Sequence, residues 1–154
     1  WVQSSISSTA CRGTNMSVEL KDVQFSMDLA NEIDQEDFPL TYEMIHKNRY
    51  DETVRVRKLF RETRSKPSAI VIYRDKYNDE NAMTRRRIFC FEVALGEHGR
   101  GFGHKLMEEI KWDADEITLG YLVEAKFFYI KEGFIESGEN ELKGKRCDIE
   151  TEEE

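Results

Sequence analysis

The sequence predicts a single domain of the α+β class, and three observations lead to this prediction. A chain of 154 residues, 39% of them hydrophobic, is long enough for one sizeable core and too short for two. Segments with apolar residues at alternate positions, which are typical of half-buried strands, recur along the chain. Between them lie segments whose apolar residues recur every three or four positions, as on one face of a helix.

The two ends of the chain differ from this middle part. Residues 1–16 are rich in Ser and Thr and lack the basic start and apolar centre of a signal peptide, so we interpret them as a loose leader or a cloning remnant. Residues 151–154 are typical of a solvated acidic tail. The domain is therefore expected to span residues 17–150.

The composition argues against several classes of function. The net charge of -8 argues against binding to the phosphate backbone of a nucleic acid, so we expect no nucleic-acid partner. No apolar stretch approaches the length of a membrane span, and no membrane association is expected. The 3 cysteines lie far apart without a metal-ligand pattern, which favours a reducing, cytoplasmic location and no metal site. A homodimer is compatible with these observations.

Three elements are predicted in the first half of the chain. The segment from Val18 to Phe25 alternates imperfectly like a half-buried strand. The segment LTYEMIHKNR is expected to be a helix with Thr41 as its N-cap. The segment TVRVRKLF fits both a strand and a helical face, and we favour a strand for its centre.

A β-hairpin is predicted next. Ala69 to Tyr73 is apolar and β-branched, and the polar turn-forming cluster KYNDEN follows it. The segment RRRIFCFEVAL then returns as a long strand. We interpret its three arginines, Arg85, Arg86 and Arg87, as a solvated strand start.

The second half alternates helices and strands. Phe102, Leu106 and Ile110 recur at four-residue intervals, which predicts a helix packed against the sheet. The segment EITLGYL is expected to be a short strand, and VEAKFFYIKE a helix that stops at Gly133. The segments FIES and GKRCDIE are expected to pair as the last two strands.

The stretch EHGRGFGHK joins the hairpin to the Phe102 helix and contains Gly99, Gly101 and Gly103. Glycine lets backbone N–H groups lie against a ligand, and at a helix start these groups and the helix dipole bind anions such as phosphate. The spacing is neither GxGxxG nor that of a P-loop, so a dinucleotide or nucleoside triphosphate site is a poor fit. A tight strand-to-helix turn would also use glycine for steric reasons alone.

Two segments resemble a known family. His98-Gly99-Arg100-Gly101-Phe102-Gly103, after a strand that ends in Val93, resembles the Arg/Gln-x-x-Gly-x-Gly/Ala motif A of the GNAT superfamily of acyl-CoA-dependent N-acyltransferases. The later segment AKFFYIKEGF is similar to a second family segment, with Ala125, Tyr129, Gly133 and Phe134 in register. The resemblance implies a single-domain GNAT-like acyl-CoA N-acyltransferase fold, a mixed and mostly antiparallel sheet of six to seven strands flanked by helices.

The resemblance also implies roles for individual residues. Acetyl-CoA would be the cosubstrate, and its acyl and pantetheine part would lie along the backbone of Phe91, Glu92 and Val93. Tyr129 would be the general acid that returns a proton to the CoA thiolate, since a phenol with a pKa of about 10 is protonated at neutral pH. The loop that would hold the pyrophosphate consists of His98, Gly99, Arg100, Gly101, Phe102, Gly103 and His104.

Two positions depart from the family pattern, since His98 replaces the usual Arg or Gln and Leu122 replaces an Asn that contacts CoA in many members. Glu92 is the candidate general base, with Glu124, His98 and a chain of waters as alternatives. The implied function is acetyl transfer from acetyl-CoA to a primary amine, which could be a protein lysine, a protein N-terminus or a small-molecule amine. The alternative is a catalytically inactive GNAT-like module that binds CoA or another protein.

Overall fold

The computed structural model describes residues 17–47, 51–120, 126–138 and 141–145. In this part of the chain, a seven-stranded sheet is flanked by helices on both faces. The elements are β1 (Val18–Gln24), α1 (Leu29–Glu32), α2 (Pro39–Lys47), β2 (Val54–Arg61), β3 (Ala69–Asn78), β4 (Met83–Val93), a 3₁₀ turn (Leu95–Glu97), α3 (Phe102–Trp112), β5 (Glu116–Gly120), α4 (Lys126–Lys131), β6 (Ile135–Gly138) and β7 (Glu141–Lys145).

The strand order is β1-β2-β3-β4-β5-β7-β6, and only the β4–β5 pair is parallel. The predicted mixed, mostly antiparallel sheet of six to seven strands is therefore confirmed. Pairing between β4 and β5 runs from Arg85 and Glu116 to Ile88 and Leu119. On its other side, β4 stays paired with β3 as far as Val93. Within the described residues, the pairing of β4 with β5 ends at Ile88, and β4 continues to Val93.

The core lies on both faces of the sheet. On one face, Leu106, Met107 and Ile110 of α3 are fully buried in a cluster with side chains of β3 and β5. On the other face, Ile45 of α2 and Phe38, which precedes this helix, are buried in a second cluster with side chains of β2 and β3. Since each fully buried apolar side chain of this size contributes about 1.5–3 kcal/mol, the two layers fix the sheet between them.

A β-bulge in β4 changes which residues face each layer. Ile72 lies opposite Cys90, but Tyr73 lies opposite Ile88, so β4 carries one extra residue relative to β3. Ile88 belongs to the α3 layer and Cys90 to the α2 layer. Phe91 packs against the α3 layer again. The bulge therefore interrupts the alternation, so that Ile88 and Cys90, although two residues apart, face opposite layers.

Most predicted elements are confirmed, including the strand at TVRVRKLF, but three boundaries were wrong. Thr41 lies inside α2, because the helix begins at Pro39, and proline suits the first helical position. Strand β3 continues five residues beyond Tyr73 to Asn78, because the hairpin extends past the core with exposed residues. The last strand begins at Glu141, earlier than predicted, and pairs with β6 as expected, while residues 146–150 of the predicted strand lie outside the described ranges.

The prediction that all three hairpin arginines are solvated was wrong for Arg86, which is 3% exposed. It binds the carboxylate of Asp75 at 2.7 and 2.8 Å, Asp113 at 2.6 Å and the carbonyl oxygen of Ile110 at 2.7 Å. A buried guanidinium requires such partners, and here it also neutralises the carbonyl end of α3. Arg85 is exposed, as predicted.

Several predictions fall on residues outside the described ranges. They concern the leader at 1–16, the tail at 151–154, and Leu122, Glu124 and Ala125. No helix in the described ranges is long and apolar enough to cross a membrane.

Candidate functional site

A cleft of about 910 Å³ lies between the end of β4, the start of α3 and α4, a volume typical of sites for small molecules and cofactors. Of the eleven predicted site residues, ten line this cleft and Arg100 does not. The lining consists of Pro39, Leu40, Phe91, Glu92, Val93, Leu95, Glu97, His98, Gly99, Gly101, Phe102, Gly103, His104, Phe128, Tyr129, Lys131 and Glu132.

One wall of the cleft is the end of β4. Phe91, Glu92 and Val93 are extended backbone that pairs with β3 on one side, lies beyond the last described pair with β5 and lines the cleft. Backbone N–H and C=O groups on such an edge can pair with an extended ligand that contains amides, as an added strand does. This wall therefore favours a ligand with a peptide-like chain.

The glycine loop and the start of α3 form one end of the cleft. Gly99 and Gly101 have φ angles of +81° and +84°, in the left-handed region that favours glycine. Gly101 is the N-cap of α3, and no side chain caps the helix there among the described residues. The first amides of α3 have no partner within the helix, and the positive end of an 11-residue helix dipole adds to them. Groups arranged in this way can bind an anion.

Gly103 serves packing as well. A Cβ atom added to it would lie 3.1 Å from Cγ2 of Val93 and 3.4 Å from the Phe128 ring. The absence of a side chain therefore lets the first turn of α3 approach β4 and α4 closely. For this one glycine the structure supports the steric reason that the sequence left open.

Glu97 anchors the loop, and sequence reasoning missed it. Its carboxylate is buried, accepts a hydrogen bond from Nε of Arg61 at 2.5 Å and one from Oγ of Ser68 at 2.9 Å, and lies 3.6 Å from Nη1 of Arg64. The hydrogen bond from Arg61, with that from Ser68 and the nearby positive charges, lowers the pKa of Glu97 to about 2. The glycine loop is thus tied to the end of β2 and the start of β3.

Two histidines hold the ends of the cleft together. Nε2 of His98 lies 2.9 Å from the carbonyl oxygen of Val93, so the residue that replaces the family Arg or Gln closes the loop onto β4. Nδ1 of His104 lies 2.8 Å from a carboxylate oxygen of Glu132, which ties the first turn of α3 to the end of α4. Sequence reasoning also missed Glu132.

Tyr129 lies on α4 and is 7% exposed. Its ring packs edge-on against Phe91, Phe128 and Phe134, with centroid distances of 6.4, 5.3 and 5.9 Å. No group in the described ranges hydrogen-bonds its hydroxyl. Burial raises the pKa of Tyr129 well above its ordinary value, and the nearby Cys90 thiol adds to this shift. The phenol is therefore protonated throughout the physiological range.

Glu92 has a structural role that the sequence did not predict. One carboxylate oxygen accepts hydrogen bonds from the backbone N–H of Thr41 at 2.6 Å and from its hydroxyl at 2.8 Å. The other oxygen accepts one from the backbone N–H of Leu40 at 3.1 Å. Glu92 therefore caps the start of α2 in place of the predicted N-cap Thr41, and both of its oxygens are engaged.

Comparison with known proteins supports the fold. No known protein-family profile and no curated protein sequence matches this chain. Among solved structures, AtaTR bound with AcCoA is 18% identical, with a TM-score of 0.58, and the match covers 88% of this chain and 98% of that one. GCN5 from Tetrahymena is also 18% identical, with a TM-score of 0.57 and coverage of 78% and 85%.

AtaT complexed with acetyl-methionyl-tRNAfMet is 16% identical, with a TM-score of 0.57 and coverage of 88% and 100%. The chain therefore has the fold of the GNAT acetyltransferases, as the two sequence segments implied. At such low identity this similarity establishes the fold, and the activity must be argued from the site. Because the AtaT complex contains a tRNA, the comparison gives no support to the expectation that nucleic acid is not a partner.

Proposed function

We propose that this protein transfers an acetyl group from acetyl-CoA to a primary amine. The observation that carries the proposal is that one cleft joins two complementary features. The start of α3 offers N–H groups without a side-chain cap to an anion, and the backbone at the end of β4, beyond its last described pair with β5, lines the cleft and would pair with an amide-containing chain. CoA has both parts, a pyrophosphate and a pantetheine arm with two amides.

The residues around the cleft fit this cosubstrate. The amides of the loop from His98 to His104 would hold the pyrophosphate, since the left-handed Gly99 and Gly101 turn the loop into the start of α3. The backbone of residues 91–93 would pair with the pantetheine amides. The rings of Phe91 and Phe128, 5.7 Å apart, would flank its apolar part. Acetyl-CoA supplies the acetyl group as a thioester, which is activated toward amines.

Tyr129 would act as the general acid. The neutral acceptor amine forms a C–N bond at the thioester carbon, and the C–S bond breaks. Tyr129 gives its phenolic proton to the departing sulfur, and the phenolate is later reprotonated from solvent. Burial around Tyr129 disfavours any anion beside it, so a departing thiolate would be more basic there than in water and would accept this proton more readily.

The proton of the amine leaves by a different route. Both Glu92 oxygens accept hydrogen bonds from α2, so taking up a proton there would weaken the cap of that helix. We therefore propose that water removes the proton and that Glu92 positions α2. Glu92→Gln should lower the melting temperature and leave kcat within about tenfold of the parent. A loss of more than about a hundredfold in folded protein would identify Glu92 as the base.

Calorimetry tests the cosubstrate directly. Acetyl-CoA and CoA should both bind, and pantetheine, which lacks the pyrophosphate, should bind at least about tenfold more weakly. Failure of both acetyl-CoA and CoA to bind would reject the proposal. A screen for the acceptor would then compare lysine peptides, peptide N-termini, polyamines and, given the AtaT complex, an aminoacyl-RNA.

The second candidate is a GNAT-like module that binds CoA without transferring an acetyl group. The engagement of Glu92 in capping α2 favours it, since the candidate base that the structure describes already accepts hydrogen bonds with both carboxylate oxygens. Binding of CoA without turnover of any acceptor in the screen would favour this module over the enzyme.

A further inference from the structure

A block of four positive side chains lies on the outer half of the β3–β4 hairpin. In the register of the two strands, Arg74 lies opposite Arg87 and Lys76 opposite Arg85. Alternate residues of a strand point to the same face, so all four belong to the face away from the α3 layer. Arg74, Lys76 and Arg85 are exposed, and Arg87 is half-buried. We call these four residues the basic block.

This arrangement is costly for a sheet. Like charges directly opposite each other on neighbouring strands destabilise the pair, and here two such pairs follow one another. Glu116 lies 3.3 Å from Arg85 and Asp51 lies 3.4 Å from Arg74, so nearby carboxylates offset part of the charge. The chain as a whole carries -8, and the block is therefore a local exception to its surface charge. A cost of this kind is expected where a surface binds an anionic partner.

The chemistry of the block suits a phosphate backbone. Residues two apart along a strand are about 7 Å apart, and opposite residues are about 5 Å apart, so the block presents its charges over a short stretch of one polyanion. Three of the four residues are arginines, whose planar donors match phosphate oxygens in pairs. A strip two strands wide fits a single strand better than a duplex.

An aromatic ring beside the block points to bases. Phe89 is half-buried on β4, and the guanidinium of Arg74 lies 5.5 Å from the centre of its ring. Arginine planes and the accessible part of an aromatic ring on a sheet are surfaces on which unpaired bases stack. A glutamate-rich segment has no base to stack there. We propose that the basic block, with Phe89, binds single-stranded RNA, independently of the acetyl transfer proposed above.

Fluorescence anisotropy of a labelled 12-nucleotide RNA would measure the binding at 50 and 200 mM salt. The double variant Lys76→Gln, Arg85→Gln should weaken binding at least about tenfold at 50 mM salt. It should also reduce the slope of the logarithm of the binding constant against the logarithm of the salt concentration by about 0.7 for each lost phosphate contact. The control Lys21→Gln, Lys47→Gln makes the same change in net charge at exposed sites outside the block, and it should bind within about twofold of the parent.

Thermal melting separates a binding role from a structural one. Since the double variant removes a repulsive pair, it should melt at the same temperature as the parent or higher. Four results would overturn the proposal: no RNA binding by the parent protein, an equal loss in the control variant, tighter binding of a duplex DNA, or tighter binding of a glutamate-rich peptide than of the RNA.

Discussion

Replacing Tyr129 with phenylalanine tests the proposed chemistry with little disturbance of the fold. The ring stays in contact with Phe91, Phe128 and Phe134, and only the hydroxyl is lost. Because no group in the described ranges hydrogen-bonds that hydroxyl, its removal leaves no partner unsatisfied there. The free energy of unfolding should therefore change by no more than about 0.5 kcal/mol.

The effect on turnover should be much larger. A general acid acts in the transition state, so kcat should fall by about ten- to three-hundredfold, which corresponds to about 1.4–3.4 kcal/mol of the activation barrier. The affinity for acetyl-CoA should hardly change, because the hydroxyl contributes to the transition state and not to the anion site. A loss in kcat with constant affinity is the signature of a missing acid.

The assay follows release of the CoA thiol with a thiol-reactive dye, using the best acceptor from the screen, and a thermal melt of the same preparation. Tyr77→Phe is the matched control, since Tyr77 is 60% exposed on the hairpin and does not line the cleft. Full turnover by the Tyr129 variant with an unchanged melt would refute the assignment of Tyr129 as the acid.

Three further substitutions test the cleft and its supports. Gly103→Glu should abolish the binding of acetyl-CoA measured by calorimetry, and it should lower the stability measured by melting by about 1–3 kcal/mol, because its Cβ meets β4 and α4. The control Gly96→Ala, whose added Cβ has nothing within 4 Å, should change neither the binding nor the stability. The ionised carboxylate of Glu97, whose pKa is lowered to about 2, stabilises the fold fully above about pH 4.5, and this stabilisation is lost as the pH falls towards 2. In urea unfolding, Glu97→Gln should therefore be less stable than the parent at pH 7, and the difference in the free energy of unfolding should shrink towards pH 2.5. Arg86→Met should cost about 3–5 kcal/mol in urea unfolding, and equal effects of Arg86→Met and Arg85→Met would contradict the burial of Arg86.

The parts of the fold that sequence predicted correctly depend on local patterns. The hairpin and α3 were predicted because alternation and four-residue periodicity lie within a few neighbouring residues, and burial follows them directly. The same alternation could have predicted that Arg86 faces the opposite side of the sheet from Arg85 and Arg87. Three consecutive residues of a strand cannot share one face, so Arg86 had to point opposite to Arg85 and Arg87, towards α3.

The supports of the site could not be predicted in this way. Arg61 lies 36 residues before Glu97, and Thr41 lies 51 residues before Glu92. A charged residue in a sequence carries no sign of which distant partner it meets, because that depends on the strand order and on the bulge in β4. Thr41 was taken as an N-cap because its residue type suits that position, but a carboxylate from the sheet provides the cap.

The cap that Glu92 provides to α2 also sets an order of events in folding. A helix of nine residues is marginal on its own, and the donors at the start of α2 are satisfied by a strand that lies far along the chain. We expect the β3–β4 hairpin to form first and α2 to dock onto it late. Substitutions in α2, such as Ile45→Val, should then accelerate unfolding and leave the refolding rate nearly unchanged, whereas Ile72→Val in β3 should slow refolding.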